Sequence, residues 1–412
     1  MRTASGTGVD PAALGFRPRD LVFIADPYPA YAELRAAGRI IHNPETEQWI
    51  IPHYEDVNGL LRDRRFGRTY LHLATHREMG RPEDPLFTAA FWHLIRNGIL
   101  DMEPPDHTRV RRLVAKAFTP RRVQELRPTV QRLMDGLIEE VLGAGEVDLI
   151  STVAESLPVT VIAELLGIPE ADRHHLRPWS AEICRMYELN PTEEDGRAAS
   201  AAAVEFSDYL RELIRERRQH PTEDLIGGLV QVIDQGDRLT EDEMIGTCVL
   251  LLNAGHEATV NMTGNGWWAL YRNPDQLERL RADHSLVPRA IEELMRYDTP
   301  LQMFERWVLE DVEIHGVPVT PGQELALLFG SANRDPAAVD RPDELDLGRE
   351  PNPHMTFGAG IHFCLGAPLG RVELETSFGT LLRRAPHMEL AAEPEWKPNY
   401  IIRGLRELRV RL

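Results

Sequence analysis

The segment Phe357–Gly366, FGAGIHFCLG, sets one cysteine among three glycines, directly before a helix-forming stretch that begins at Ala367. Glycine allows positive φ angles and lets the backbone approach a ligand closely. Backbone N–H groups at the start of a helix favour an anion, and a thiol placed there has a lowered pKa. The segment is therefore expected to present Cys364 as a thiolate.

A lone thiolate of this kind has three competing interpretations. An incidental cysteine in a structural loop is the first, and the surrounding glycines and helix start count against it. A zinc site is disfavoured because no second cysteine or paired histidine lies at ligand spacing. A thiolate that serves a large cofactor, haem above all, agrees best with the pattern.

The composition excludes several classes of protein. The chain has 412 residues, and its 42% hydrophobic and 27% charged content is that of a globular protein. The net charge of −19 argues against general nucleic-acid binding, which needs a basic surface. No apolar run is long enough to predict a membrane span, and the N-terminus lacks the features of a signal peptide. Three widely spaced cysteines do not suggest a disulfide framework, so a reducing, cytoplasmic setting is expected.

The periodicity predicts one mainly α-helical domain over residues 19–412, with small β-sheets, after a loose tail over residues 1–18. The expected elements are a β-hairpin that begins at Arg39 and helices over residues 120–142, 153–166, 198–220 and 367–384. The longest helix begins at a capping box formed by Thr240 and Glu243 and ends before Asn273. Because this helix is apolar on most faces, it is expected to lie in the middle of the protein.

Several segments together resemble the cytochrome P-450 family. They are the haem-thiolate pattern of residues 357–366, the E-x-x-R pair Glu293 and Arg296 with Arg349, the segment Pro104–Arg111, Arg306, and AGHEAT at residues 254–259. The resemblance extends over nearly the whole chain and is closest to the soluble bacterial members. It implies the cytochrome P-450 fold, with haem b between the long central helix and the helix after the Cys loop, in a monomer without a membrane anchor.

The resemblance assigns roles around the haem. Cys364 is expected to be the iron ligand, and Glu293, Arg296 and Arg349 are expected to form a structural charged cluster. The remaining expected haem contacts are His107, Arg111, Arg306 and His362 near the propionates, and Phe357, Gly358 and Gly366 in the loop. Arginine offers a planar fork to a carboxylate, which suits the propionate role.

On the central helix the resemblance makes Glu257 the acid that relays protons to bound oxygen, with Gly255 making room over the haem. Asn253, Glu257, Asn261 and Asn265 repeat every four residues and predict a polar ridge that holds buried water. The alternative for Glu257 is a carboxylate held by a surface cation. His256 is either a satisfied core residue or part of the same relay.

One position departs from the family pattern. The family usually has threonine directly after the acid, where this chain has Ala258. Thr259 follows, but one residue is about 100° around a helix. Three outcomes stay open: Thr259 or a pocket water substitutes, the substrate supplies its own hydroxyl or acid, or coupling is poor and peroxide is the better oxidant.

Family position also suggests a substrate pocket and a docking surface. The expected pocket is apolar with a few polar groups, and its candidates are Phe87, Phe91, Trp92, Leu94, Leu250, Asn253, Ala254, Leu301, Gln302, Met303, Phe304, Ile401 and Ile402. A basic run without acids is expected to attract an acidic ferredoxin, with an ordinary solvated face as the alternative. The residues of that run are Arg109, Arg112, Lys116, Arg121 and Arg122.

The function that follows is a monooxygenase acting on an apolar organic substrate. It takes O2 and two electrons from NAD(P)H, delivered through a ferredoxin and its reductase. Two alternatives remain. A peroxide-driven haem-thiolate enzyme is motivated by Ala258, and a non-catalytic haem sensor or carrier is disfavoured by the polar ridge and the basic run.

Overall fold

The computed structural model describes residues 8–189, 191–233 and 236–412. Within these residues α-helices dominate, as the sequence predicts. They are α1 (Leu21–Ala25), α2 (Tyr28–Ala37), α3 (Tyr54–Leu60), α4 (Ala89–Arg96), α5 (Asp106–Ala117), α6 (Pro120–Val141), α7 (Ser156–Leu166), α8 (Leu176–Cys184), α9 (Glu193–Gln219), α10 (Leu225–Gln231), α11 (Glu241–Arg272), α12 (Pro274–Ala282), α13 (Val287–Tyr297), α14 (Phe329–Ala332) and α15 (Ala367–Arg384).

The strands form small sheets at the edge of the helical body. They are β1 (Ile41–Asn43), β2 (Gln48–Ile51), β3 (Phe66–Gly67), β4 (Glu146–Asp148), β5 (Met303–Val308), β6 (Val312–Ile314), β7 (Val317–Val319), β8 (Glu324–Leu328), β9 (Glu389–Leu390), β10 (Glu395–Trp396), β11 (Leu405–Glu407) and β12 (Arg409–Arg411). The largest sheet has the order β1-β2-β8-β5-β3, and a second has the order β4-β12-β9. The antiparallel pair β1 and β2 is the hairpin predicted from Arg39.

The central helix α11 has 32 residues and is buried along most of its length. Thr240 caps it by accepting from the backbone N–H of Glu243, whose carboxylate accepts from the N–H of Thr240, so the predicted capping box is confirmed. Helices α4, α7, α8, α9, α13 and α15 all pack against it. A helix surrounded in this way must be apolar on most faces, which is what the sequence shows.

The N-terminal region differs from the predicted tail. Residues 1–7 lie outside the described residues. Further on, Pro11–Leu14 forms a 3-10 turn capped by Asp10, and Phe16 is buried with its ring edge-on to Phe23 at 5.4 Å between centroids. The packed domain therefore begins before residue 19, because an aromatic side chain in the supposed tail has a core to enter.

The charged cluster fixes the chain that leads into the Cys loop. Glu293 on α13 accepts from Arg296 at 2.7 and 2.8 Å and from Arg349 Nε at 3.0 Å, and all three side chains are buried. Arg296 also donates to the backbone oxygens of Asn333 and Pro342. Removal of one partner would leave an uncompensated buried charge, so the cluster holds geometry.

Candidate haem-thiolate site

The Cys loop is a compact turn held by backbone hydrogen bonds. Gly358 and Gly360 have φ of +66° and +69°, the left-handed region that favours glycine. A Cβ on Gly360 would stand 2.1 Å from the carbonyl oxygen of Leu61, so this position also requires a close approach of two backbones. The N–H of Cys364 donates to the oxygen of Phe357 at 2.9 Å. These contacts fix where the sulfur lies.

The sulfur lies at the N-terminus of α15. Burial raises the pKa of the Cys364 thiol, while the N–H groups of Gly366 and Ala367 and the charge of Arg111 act to lower it. The sequence led us to expect a lowered pKa; that expectation neglected burial, which is the larger effect. The N–H groups nevertheless point at the sulfur, an arrangement that suits a metal-bound thiolate.

One face of α11 is open while the rest of the helix is buried. Ala254 and Ala258, four residues apart, are exposed, and Leu250 one turn earlier is half-buried. Residues at this spacing share a helix face. Small apolar side chains that stay exposed on a central helix indicate that a large ligand, rather than another part of the chain, packs against this face.

Gly255 also permits a close approach between two helices. A Cβ at Gly255 would stand 3.0 Å from Cδ1 of Ile162 on α7. The glycine therefore permits close packing of α11 against α7, and its role in making room over the haem stays a prediction.

The expected polar ridge is partly occupied by a lysine from the C-terminal segment. Lys397 Nζ donates to Oδ1 of Asn261 at 3.3 Å and lies 3.9 Å from Oε2 of Glu257. Asn265 is buried and donates to the backbone oxygens of Asp298 and Arg403. The structure thus gives Glu257 the cation that the sequence treated as the alternative, and Asn265 a structural role.

His256 lies beside the same carboxylate. Its Nδ1 is 3.6 Å from Oε1 of Glu257, and the ring is buried. Burial lowers the pKa of His256, which keeps the imidazole neutral and able to accept or donate a proton.

Thr259 faces the helix that follows the Cys loop. Its hydroxyl donates to Oε2 of Glu373 on α15 at 3.3 Å. Glu373 is 1% exposed, and burial raises its pKa well above the ordinary range. Sequence reasoning missed Glu373; the available signal was a single carboxylate between Val372 and Leu374 on an otherwise buried helix face.

A second polar cluster gathers around β5 and the start of α5. The rings of His107 and His362 lie 4.4 Å apart, both nitrogens of His107 lack a partner, and burial lowers the pKa of His107 to about 4. Nε2 of His362 lies 3.5 Å from Glu103, which the sequence did not single out. Arg306 is 2% exposed, and burial lowers its pKa to about 9.

The hydrogen bonding of Arg306 is incomplete. Its guanidinium donates to the backbone oxygen of Glu305 at 2.8 Å, and within the described ranges no carboxylate lies in ion-pair distance of it. A buried cation without an anionic partner is costly. Together with the unpartnered His107, this arrangement fits a ligand that brings a carboxylate.

Arg111 contacts the Cys loop, and its predicted contact with a propionate stays a prediction. Its Nη2 donates to the backbone oxygen of Phe363 at 2.5 Å, next to Cys364. The ring of Phe357 packs under the guanidinium of Arg371 at 4.5 Å. Both interactions brace the Cys loop from outside.

Two expected pocket residues belong to the core instead. Gln302 is fully buried, accepts from the hydroxyl of Tyr31 at 2.8 Å and donates to the oxygen of Thr299 at 2.6 Å. Met303 is 1% exposed and packs with Ile50 of β2. Their hydrogen bonds and packing commit both side chains to the body of the sheet, so their assignment to the pocket is corrected.

The pocket candidates on α4 and on the turn before it lie in different environments. Phe91 is buried in the main core, and the ring of Phe87 lies under Arg197 at 4.8 Å. Trp92 lines a cavity of about 370 Å³, and Leu94 one of about 140 Å³. Neither cavity includes Ala254 or Ala258, so these two cavities are separate from the open face of α11.

The remaining pocket candidates lie where β5 meets the C-terminal segment. Leu301 and Ile402 form an isolated antiparallel bridge. Phe304 packs against the guanidinium groups of Arg68 and Arg306, at 4.4 and 5.1 Å from its ring centroid. Ile401 is buried and Ile402 half-buried. Asn253 on α11 is buried, and both polar atoms of its amide lack a partner.

Much of the basic run is engaged within the chain. Arg109 forms a close ion pair with Glu243, and Arg112 lies 2.7 Å from Asp237. Arg122 donates to the backbone oxygen of Ala117 at 2.9 Å and to that of Glu223. Arg121, 88% exposed, pairs with Glu125, and Lys116 is exposed on α5. The run is therefore less available to a partner than the sequence suggested.

Comparison with known proteins identifies the family. The profile described as Cytochrome P-450 matches residues 177–387. The chain is 39% identical to the cytochrome P-450 monooxygenase PikC of Streptomyces venezuelae, over the whole of this chain and 97% of that protein. This chain belongs to the cytochrome P-450 family. The family predicted from the sequence is thus confirmed, and the protein is a cytochrome P-450 monooxygenase.

Further relatives and solved structures agree. The biotin biosynthesis cytochrome P-450 of Bacillus subtilis is 37% identical over 94% of this chain and 96% of its own length. A crystal structure of BioI with a fatty-acyl-ligated acyl carrier protein has a TM-score of 0.88, 36% identity and coverage of 95% and 99%. The structure of the bacillaene synthase cytochrome P-450 PksS has a TM-score of 0.87, 34% identity and coverage of 96% and 99%. The fold is therefore the predicted one.

The cytochrome P-450 family carries haem b ligated by a cysteine, and this chain's residues fit that cofactor. The sulfur of Cys364, which accepts from two backbone N–H groups, would bind the iron. The small side chains of Ala254 and Ala258 on α11 would lie against the face of the haem. The buried guanidinium of Arg306 would pair with a propionate. None of the helices over the described residues is both long and apolar enough to cross a bilayer.

Proposed function

We propose that Cys364 is the iron ligand, that haem b lies between α11 and α15, and that an apolar organic substrate binds over the open face of Ala254 and Ala258. The observations that carry this proposal are the exposed face of Ala254 and Ala258 on α11, and the Cys364 sulfur at the start of α15, a helix that packs against α11. Haem held by a thiolate supplies the activation of O2 that inserts one oxygen atom into a substrate. His107, Arg306 and His362 would hold the propionates.

Side chains on and beside α11 would then deliver protons to the site. Glu257 and His256 form a pair at the side of α11, and Lys397 holds the carboxylate near solvent. A carboxylate tethered by a half-exposed lysine can exchange protons with water and pass them inward. Ala258 leaves the open face without a hydroxyl, so a water or the substrate itself must complete the path there.

The electron donor is proposed to be an acidic ferredoxin, with NAD(P)H as the source through a reductase, in the cytoplasm. The support is the basic run on α5 and the start of α6, of which Arg121 and Lys116 are the most exposed members; Arg111 of the same α5 contacts the Cys loop. Such a surface steers an acidic partner by charge.

The deciding experiment compares two ways of driving turnover. With a substrate chosen by spectral titration, product is measured with NADPH, ferredoxin and reductase, and separately with hydrogen peroxide. Efficient product formation in the first reaction supports the monooxygenase. Fast, clean turnover with peroxide alone, together with little product from the reductase system, would make it a peroxygenase, which Ala258 favours. Absence of product in both would favour a haem sensor.

A further inference from the structure

The backbone of Tyr400–Ile402 hydrogen-bonds to two different partners. The oxygen of Ile401 accepts from the N–H of Gln302 at 3.0 Å. The N–H groups of Tyr400 and Ile401 donate to Oε2 of Glu188 at 3.0 and 3.1 Å, and that of Ile402 donates to Oε1 at 3.1 Å. One carboxylate therefore satisfies three successive N–H groups, an arrangement suited to an anion.

Glu188 comes from a different part of the molecule. It follows the turn Arg185–Tyr187 at the end of α8, and α9 begins at Glu193. Its neighbour Leu189 packs against the cluster that contains Tyr400 and Ile401. Glu188 thus ties the connection between α8 and α9 to the C-terminal segment.

Among the residues that the structure describes, no lysine, arginine or histidine forms an ion pair with Glu188. Its charge is stabilised by the three N–H groups and by a hydrogen bond from the side chain of Asn399. Charge-assisted hydrogen bonds of this kind are roughly twice as strong as neutral ones. The three bonds therefore act as one strong but localised fastening.

The fastening joins the connection after α8 to Ile401 and Ile402, two residues that family position assigns to the substrate pocket. Helices α8 and α9 pack over α11, whose open face carries Ala254 and Ala258, and Ile402 bridges to Leu301 beside β5. Separation of the α8–α9 connection from Tyr400–Ile402 requires all three bonds to break together. On the basis of the proposed function, we propose that Glu188 acts as a latch. Its three hydrogen bonds keep the substrate site closed and set the rates at which bulky organic ligands enter and leave it.

The test uses two haem ligands of different size. Imidazole and 4-phenylimidazole both shift the Soret band of the haem-loaded protein, and stopped-flow mixing gives their association and dissociation rates. Glu188→Gln keeps the shape of the side chain but removes its charge and turns one acceptor into a donor. We expect both rates for 4-phenylimidazole to rise about tenfold, from loss of charge-assisted bonds, with imidazole changed less than about twofold.

The controls separate the possible outcomes. Glu193→Gln changes an exposed carboxylate at the start of α9, just after this connection, and should leave all rates unchanged. Glu188→Asp keeps the charge but shortens the side chain by one methylene, so it should also raise the association and dissociation rates of 4-phenylimidazole. If the Gln variant does not bind haem, the Asp variant takes its place in the test. Equal rates in the Glu188 and Glu193 variants, or equal acceleration of both ligands, would overturn the latch. Failure of either ligand to shift the Soret band of the wild-type protein would instead contradict the proposed haem site.

Discussion

The hydroxyl of Thr259 donates to Oε2 of Glu373, 3.3 Å away, and so is turned toward α15. The adjacent Ala258 is the residue on the open face of α11, about 100° around the helix. Of the three outcomes that the sequence left open, substitution by Thr259 thus requires the hydroxyl to leave its buried partner.

Ala258→Thr is expected to improve coupling several-fold, measured as product formed per NADPH consumed, because it places a hydroxyl on the open face. Ala254→Thr, the same change one turn away on that face, is the control and should not improve coupling. A Thr259→Val variant that loses coupling, together with no gain in Ala258→Thr, would show that Thr259 already performs this role.

Cys364→Ser is expected to abolish the red-shifted Soret band of the reduced carbon monoxide complex, because an alcohol does not replace the thiolate. Cys184→Ser, at a half-buried cysteine on α8, should retain the band. Persistence of the band in Cys364→Ser would mean that the iron ligand is assigned wrongly.

Arg306→Met is expected to speed haem loss to an acceptor apoprotein by on the order of tenfold, since a charge-assisted contact to a propionate disappears. The same variant should not lower the thermal midpoint of the haem-free protein, because an unpaired buried cation is removed. Arg132→Met, at an exposed position of α6, should change neither quantity. A lower thermal midpoint of the haem-free Arg306→Met variant would contradict the proposal that Arg306 gains its anionic partner only when haem binds.

Glu373→Gln tests the buried carboxyl through the pH dependence of stability. Burial raises the pKa of Glu373 in the folded chain, so the folded state holds a proton that the unfolded state releases above its ordinary pKa. Stability from this group is therefore present at low pH and is lost as pH rises above about 4.3. The Gln variant should match the wild type near pH 4 and become progressively more stable than the wild type as the pH rises toward 8.

Thermal midpoints of the two proteins, followed by circular dichroism between pH 4 and pH 9, measure this difference. A constant gap across that range would show that Glu373 is ionised in the folded protein. Glu375→Gln, which removes a partly exposed carboxylate on the same helix, is the control, and it should show no such trend.

Arg121→Glu is expected to slow reduction by an acidic ferredoxin several-fold at low ionic strength, with the difference vanishing in high salt. Its ion pair with Glu125 is exposed and contributes little to folding. Arg132→Glu makes the same charge change further along α6. Equal slowing by both variants would point to net charge rather than to a docking surface beside the Cys loop.

Local pattern was sufficient for much of the fold. The capping box of Thr240 and Glu243, the hairpin β1–β2 and the glycine-rich loop all depend on residues close together in sequence. Their conformations follow from short-range hydrogen bonding and from allowed φ and ψ. The end of the predicted tail was misplaced, because entry of Phe16 into a core depends on a partner far along the chain.

The glycine-rich Cys loop, the long buried helix and the absence of a hydroxyl at Ala258 could be predicted from short stretches of residues. Three contacts became visible only in the folded chain: Lys397 beside Glu257, Glu373 beside Thr259, and Glu188 on the N–H groups of Tyr400–Ile402. Each of these contacts joins distant segments. The burial and charge they create come from packing, which no local pattern of residues specifies.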